Sequence, residues 1–164
     1  NPQGMVPALE VDGAVLTQSP AILEWLEEAH PTPALLPADA VDRAHVRAMA
    51  ALIGCDIHPL NNLRVGKALR ETFGADQAAV DAWAARWIVP GFEAMEALVA
   101  HHGAGWCFGD APTLADCYLI PQIYSARRFN VPLDAFPRLM AIDATAALHP
   151  AFIAAHPDNQ PDAD

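Results

Sequence analysis

The sequence predicts a fragment of an α/β unit joined through a proline-rich linker to an all-helical domain. Three observations carry this. Two short apolar runs flank Asp12-Gly13, the strongest short-range signal for a β-hairpin. Pro31, Pro33 and Pro37 crowd one short stretch, which makes it stiff and marks a boundary. From Ala38 onward the apolar residues recur at helical spacing, and no strand-like alternation returns.

The hairpin lies within Met5–Pro20. Pro7, just before the first strand, can hold a cis bond. Ser19 is expected to N-cap the first helix, with Pro20 at its first position, where a missing N–H costs nothing. The open N–H groups of any helix start make this an anion site in outline. The helix is expected from about Pro20 to Ala29, with Ile22, Leu23, Leu26 and Ala29 on one face and Glu24, Glu27 and Glu28 on the solvated side. After the linker, one long helical pattern runs from Asp39 to about Thr72, and Pro59 inside it kinks or breaks the helix. A second runs from about Asp76 to Ala100, with a bend at Pro90-Gly91. Thr113 and Asp116 have the spacing of a capping box that opens a third helix, burying Leu114, Cys117, Tyr118, Ile120 and Ile123 and ending near Arg128-Phe129-Asn130. The last helix spans about Phe136 to Leu148, and a polar tail from His156 to Asp164 is expected to fray.

The totals narrow the function. In 164 residues the formal net charge is −11, which argues against nucleic acid or an anionic membrane as partner. An anionic ligand would need cations gathered locally. No apolar run is long enough for a membrane span, and no signal peptide is visible. The three cysteines, Cys55, Cys107 and Cys117, form no C-x-x-C pair and suit a reducing compartment. There is no zinc pattern, Gly-rich phosphate loop or G-x-S-x-G elbow. His101 and His102 are expected in a solvated loop.

Two groups remain as carriers of chemistry. The first is Gly54-Cys55-Asp56-Ile57-His58-Pro59-Leu60-Asn61-Asn62-Leu63-Arg64. His58 and Asn62 are four apart, so on a continuous helix they share a face. They form either a ligand-facing wall or the solvated side of a kink. The second is Arg127-Arg128 at a helix end, where the arginines either complement the helix dipole or grip a carboxylate.

Taken together, several segments resemble the zeta class of glutathione transferases, especially its maleylpyruvate and maleylacetoacetate isomerases. They are Asn1–Leu9, Gln18-Ser19-Pro20 to Glu28, Pro31–Pro37, Cys55-Asp56-Ile57-His58-Pro59-Leu60-Asn61-Asn62, Phe108-Gly109-Asp110 with Thr113–Cys117, Ser125-Ala126-Arg127-Arg128-Phe129, and Gln160-Pro161-Asp162. Val-Pro, Gln-Ser and the Thr-x-x-Asp cap mark glutathione transferases in general. His-Pro-x-Asn-Asn and Ala-Arg-Arg-Phe are more specific to the zeta isomerases.

The resemblance implies part of a thioredoxin-like, glutathione-binding domain (residues 1–30), a linker (31–38) and an all-helical substrate domain (39–164). It implies a cytoplasmic homodimer with glutathione as coreactant and a dicarboxylic keto acid as substrate. By likeness, Val6 precedes a cis-Pro7 and pairs through its backbone with the cysteinyl part of glutathione. Gln18 and Ser19 hold the γ-glutamyl end, His58 and Asn62 flank the peptide, and Arg64 and Arg128 meet substrate carboxylates. The implied reaction turns the cis double bond of a maleyl group trans. The alternatives are a general glutathione transferase acting on small electrophilic acids and a silent interaction module.

The family's serine that activates the thiol belongs to a segment this sequence does not contain. The expectations are therefore that no catalytic serine can be named here and that the 164 residues alone are inactive. Some maleylpyruvate isomerases carry arginine directly after Asn-Asn; here Leu63 stands there and Arg64 follows.

Overall fold

A computed structural model describes residues 1–161. The hairpin forms as expected: β1 (Ala8–Val11) and β2 (Ala14–Thr17) pair antiparallel, with Ala8 opposite Thr17 and Val11 opposite Ala14. Asp12 and Gly13 both take positive φ, 49° and 81°, as a two-residue type I′ turn requires. The Val6–Pro7 bond is cis, and so is Thr32–Pro33. Helix α1 (Ser19–Ala29) follows directly.

Two details of α1 differ from expectation. Ser19 is its first residue, while Gln18 occupies the cap position with φ 73° and makes no side-chain cap bond. The left-handed turn at Gln18 moves the helix start one residue upstream, and Pro20 then sits second. The acidic face is only partly solvated: Glu28 is exposed, whereas Glu27 and Glu24 are engaged. Glu27 is buried because its carboxylate accepts the backbone N–H groups of Leu35 (2.8 Å) and Leu36 (3.0 Å). Glu24 is paired with Arg47 of the next helix at 2.7 and 2.8 Å. Leu26 and Ala29 are exposed instead. The helix thus turns Ile22, Glu24 and Glu27 toward the linker and the helical body.

The body begins at α2 (Ala40–Ala51), capped by Asp39 accepting from Val41 and Asp42. The long pattern through Pro59 is not one helix. It widens into a π-helical segment, Leu52–Ile57, in which His58 N–H reaches back five residues to Ile53 C=O. A 3₁₀ turn follows at His58–Leu60, and the chain restarts at Asn62, which caps α3 (Leu63–Phe73). Pro59 has no N–H to donate, so the regular ladder cannot pass it. Gly74, in the left-handed conformation at φ 66°, ends α3.

Helix α4 (Gln77–His102) runs on through Pro90. Gly91 serves packing there: a Cβ on it would lie 2.3 Å from Ile57 Cδ1, so the glycine admits the π segment against α4. His102 lies in the last turn of α4, half-buried and stacked on Phe108, not in a solvated loop. Burial, then the neighbouring His101 and His45, push its pKa down, with Asp42 opposing.

Helix α5 (Leu114–Arg128) opens with the expected capping box. Fully buried Asp116 accepts the N–H and hydroxyl of Thr113 (2.8 and 2.9 Å) and the N–H of Cys107 (2.9 Å). Helices α6 (Pro137–Ala146) and α7 (Pro150–Ala155) complete the body; the second of these was not expected. Of the tail, Pro157–Asn159 forms a 3₁₀ turn, and the rest of that expectation, residues 162–164, lies outside the described residues.

Helix α2 packs on α5, and α4 on α6 and the π segment. Phe92, Met49, Ile53, Ile57, Ile88, Met95, Leu119, Ile123 and Leu139 fill the space between them. Each such side chain contributes about 1.5–3 kcal/mol of burial. Among the described residues no helix is long and apolar enough to cross a membrane.

Candidate functional site

A cleft of about 470 Å³ lies where the hairpin meets the helical body. Its first wall comes from Gln3, Met5, Val6, Pro7 and the turn Thr17-Gln18-Ser19. Val6 is 93% exposed, and its backbone N–H and C=O have no hydrogen-bond partner among the described residues. The peptide ahead of β1 is therefore open to pair with another extended backbone. Ser19 begins α1, and the first helical bond, Ile22 N–H to Gln18 C=O at 3.0 Å, leaves the N–H groups of Ser19 and Ala21 unused. These groups and the positive end of the helix dipole favour an anion there. Gln18 is steadied by its side-chain amide donating to Gln3 Oε1 at 2.6 Å.

The second wall is the irregular stretch between α2 and α3, through Ile53, Gly54, His58, Pro59, Asn62 and Arg64. His58 and Asn62 both line the cleft, although the helix between them is interrupted. Asn62 reaches it as the cap of α3, with Oδ1 accepting the Arg64 N–H at 3.2 Å. The third side is α5, through Cys117, Tyr118, Pro121 and Gln122. These two adjacent pairs are four residues apart and so form one face.

Seven of the eight residues expected from the sequence thus meet in one place: Val6, Pro7, Gln18, Ser19, His58, Asn62 and Arg64. Arg128 is not among the lining residues; it is exposed at the end of α5, with no ion pair among the described residues. Its neighbour Arg127 pairs with Asp143. Tyr118 and Gln122 were missed as site residues. The available signal was their four-residue spacing on a helix whose other polar residues sit at its ends.

The electrostatics are selective. The chain carries 20 acidic residues, yet neither Asp nor Glu lines the cleft, while Arg64, His58 and the α1 N-terminus do. The cleft's own thiol is quiet. Burial, then the Asp116 charge, push Cys117 up to about 11, so it stays protonated and is a poor nucleophile. Burial also raises the Tyr118 phenol, which stays a neutral donor. Among the described residues no three His, Cys, Asp or Glu side chains cluster as metal ligands would.

An unpaired backbone at Val6, an amide beside a helix start, and a cationic, acid-free cleft fit a small acidic peptide with free carboxylates. Residues 1–29 match the family description "Glutathione S-transferase, N-terminal domain", and residues 77–142 match "Glutathione S-transferase, C-terminal domain". The chain is 58% identical to a maleylpyruvate isomerase of a Ralstonia species, covering 99% of this chain and 77% of that protein. It superposes with a TM-score of 0.98 on a holo maleylpyruvate isomerase described as a bacterial glutathione transferase of the zeta class, at 57% identity, covering 100% of this chain and 78% of that one. With the maleylacetoacetate isomerase of Anaeromyxobacter dehalogenans, solved with glutathione in its active site, the TM-score is 0.92 at 47% identity, covering 100% and 76% of the two chains. The chain belongs to the zeta class of the glutathione transferase family.

Proposed function

We propose that the protein catalyses the glutathione-dependent cis–trans isomerisation of a maleyl keto acid, maleylpyruvate or maleylacetoacetate, to its fumaryl isomer in the breakdown of aromatic acids. The observation that carries this is the acid-free, cationic cleft in a chain of net charge −11. Both the peptide and the substrate are anions, and the charge of the cleft suits them. The isomerase names and the bound glutathione of the relatives support the same reading.

Glutathione bound here supplies a thiolate that adds to the cis double bond and is expelled after rotation, so the peptide is regenerated. The chain's own residues bind and orient. Val6 offers its backbone to the cysteinyl unit. Gln18 and the N–H groups at Ser19 hold the γ-glutamyl carboxylate. His58 and Asn62 close the opposite side. Arg64 offers the double bond's carboxylate a planar fork. Protonated Cys117 and Tyr118 leave the electrophile to glutathione. The protein acts as a homodimer in the cytoplasm, where its thiols stay reduced.

The full-length gene product, given a maleyl keto acid and glutathione, is expected to yield the trans isomer while the glutathione titre stays constant. Absence of the trans product would overturn the proposal. Loss of one glutathione per substrate would replace isomerisation with conjugation of small electrophilic acids.

A further inference from the structure

Gln122 is the most deeply buried polar side chain of the cleft, at 2% exposure, and it belongs to the lining of that cleft. Neither its Nε2 nor its Oε1 has a hydrogen-bond partner among the described residues. A buried carboxamide left unpaired costs about as much as the hydrogen bonds it forgoes. Its surroundings offer no relief: Ile123 and Leu119 beside it on α5 are fully buried and apolar. The amide lies one turn beyond Tyr118, on the same helix face as Cys117 and Pro121. Pro121 has no N–H, so the Cys117 C=O one turn earlier loses its helical donor. Gln122 Nε2 is, beside the Tyr118 phenol, a neutral donor that α5 contributes there.

We propose that Gln122 is a specificity-determining residue of the cleft, whose amide N–H binds the substrate's ketone oxygen that is conjugated with the double bond. This rests on the isomerase reading. A maleyl keto acid presents two carboxylates, which arginines suit, and a ketone conjugated with the double bond, which a neutral amide suits. When a nucleophile adds at the carbon beside the carboxylate, its electron pair forms the new bond. The double-bond pair moves toward the ketone and leaves negative charge on the ketone oxygen; expulsion of the nucleophile reverses both movements. A donor fixed on that oxygen therefore binds more strongly as charge develops, and removal of such a donor lowers kcat by about 10²-fold. Because the amide is otherwise unpaired, a diacid without the ketone is rejected, since it leaves the buried donor unmet.

The test compares 4-oxopimelate with pimelate, which differ only in the ketone and cannot react. Binding is measured by calorimetry on the full-length protein in saturating glutathione. The wild type is expected to bind 4-oxopimelate about tenfold more tightly, and Gln122→Met, similar in shape but without the amide, to bind the two alike while keeping its affinity for glutathione. Gln122→Leu serves if the methionine variant does not fold. Unchanged preference for the ketone in the variant would overturn the assignment to Gln122 alone. A wild type that binds neither diacid would remove the isomerase reading and this proposal with it.

Discussion

The first 29 residues and the helical body are built on different physics, and the cleft lies on the seam between them. The body is held by apolar packing: Phe92, Ile88, Met95, Leu119 and Leu139 have no measurable exposure. The hairpin buries no residue, and α1 buries only Ile22 and Glu27. Leu23 packs on the core from this region, and the rest of the junction is a short set of polar contacts, Glu27 to the linker N–H groups and Glu24 to Arg47. One side of the site is therefore fixed by shape, and the other leans more heavily on charge and backbone hydrogen bonds. Conditions that weaken one class of force need not weaken the other.

The sharpest way to probe the packed side is Phe92→Ala. Phe92 is fully buried and meets Phe136 edge-on at 5.5 Å between ring centroids. The substitution is expected to cost about 3–5 kcal/mol, read as a shift in the denaturation midpoint at unchanged slope. A loss below about 1 kcal/mol would mean that packing does not dominate the body. On the polar side, Glu27→Ala leaves the Leu35 and Leu36 N–H groups without their acceptor. The expected cost is about 1–3 kcal/mol, with faster amide exchange at Leu35 and Leu36 while Phe92 and Leu119 stay protected. Uniform acceleration throughout would erase the distinction between the two regions.

The smallest effect concerns Glu24. The Arg47 hydrogen bond, then the charges of Arg47 and Arg43, outweigh burial and hold its carboxyl below the ordinary value of 4.5. A depressed carboxylate adds stability above its unfolded pKa and loses it as pH falls through the folded pKa. Both partners are more than a third exposed, so solvent screening keeps the gain under about 1 kcal/mol. Wild type and Glu24→Gln should differ in stability at neutral pH and converge as the solution is acidified below pH 4.5. A gap that persists in acid would show that Glu24 acts through shape and not charge.

Legibility in the sequence follows the same seam. The hairpin, the cis-proline, the linker, the capping box and most of the helix limits are local, since each is set by residues within a turn or two. Seven cleft residues were also legible, because the family motifs at Val6-Pro7, Gln18-Ser19 and His58 to Arg64 mark them. Three of the misses are non-local. Glu27 on a helix surface looks solvated until the linker folds back eight residues later. The π segment depends on what α4 requires of Ile57. Gln122 looks like one polar residue in an apolar helix until the cleft forms beside it. Ser19 was assigned one place late because nothing in the sequence announces the left-handed turn at Gln18.

Gly54 and Tyr118 carry a consequence for how such a site can change over generations. A Cβ on Gly54 would lie 2.7 Å from the Tyr118 ring, so the aromatic side chain occupies the space that a larger residue at 54 would claim. The two positions are not free to vary in either order. Enlarging residue 54 first forces the ring to shift, whereas shrinking residue 118 first opens room that a later alanine can fill. The same pair of changes is thus easier in one order than in the other.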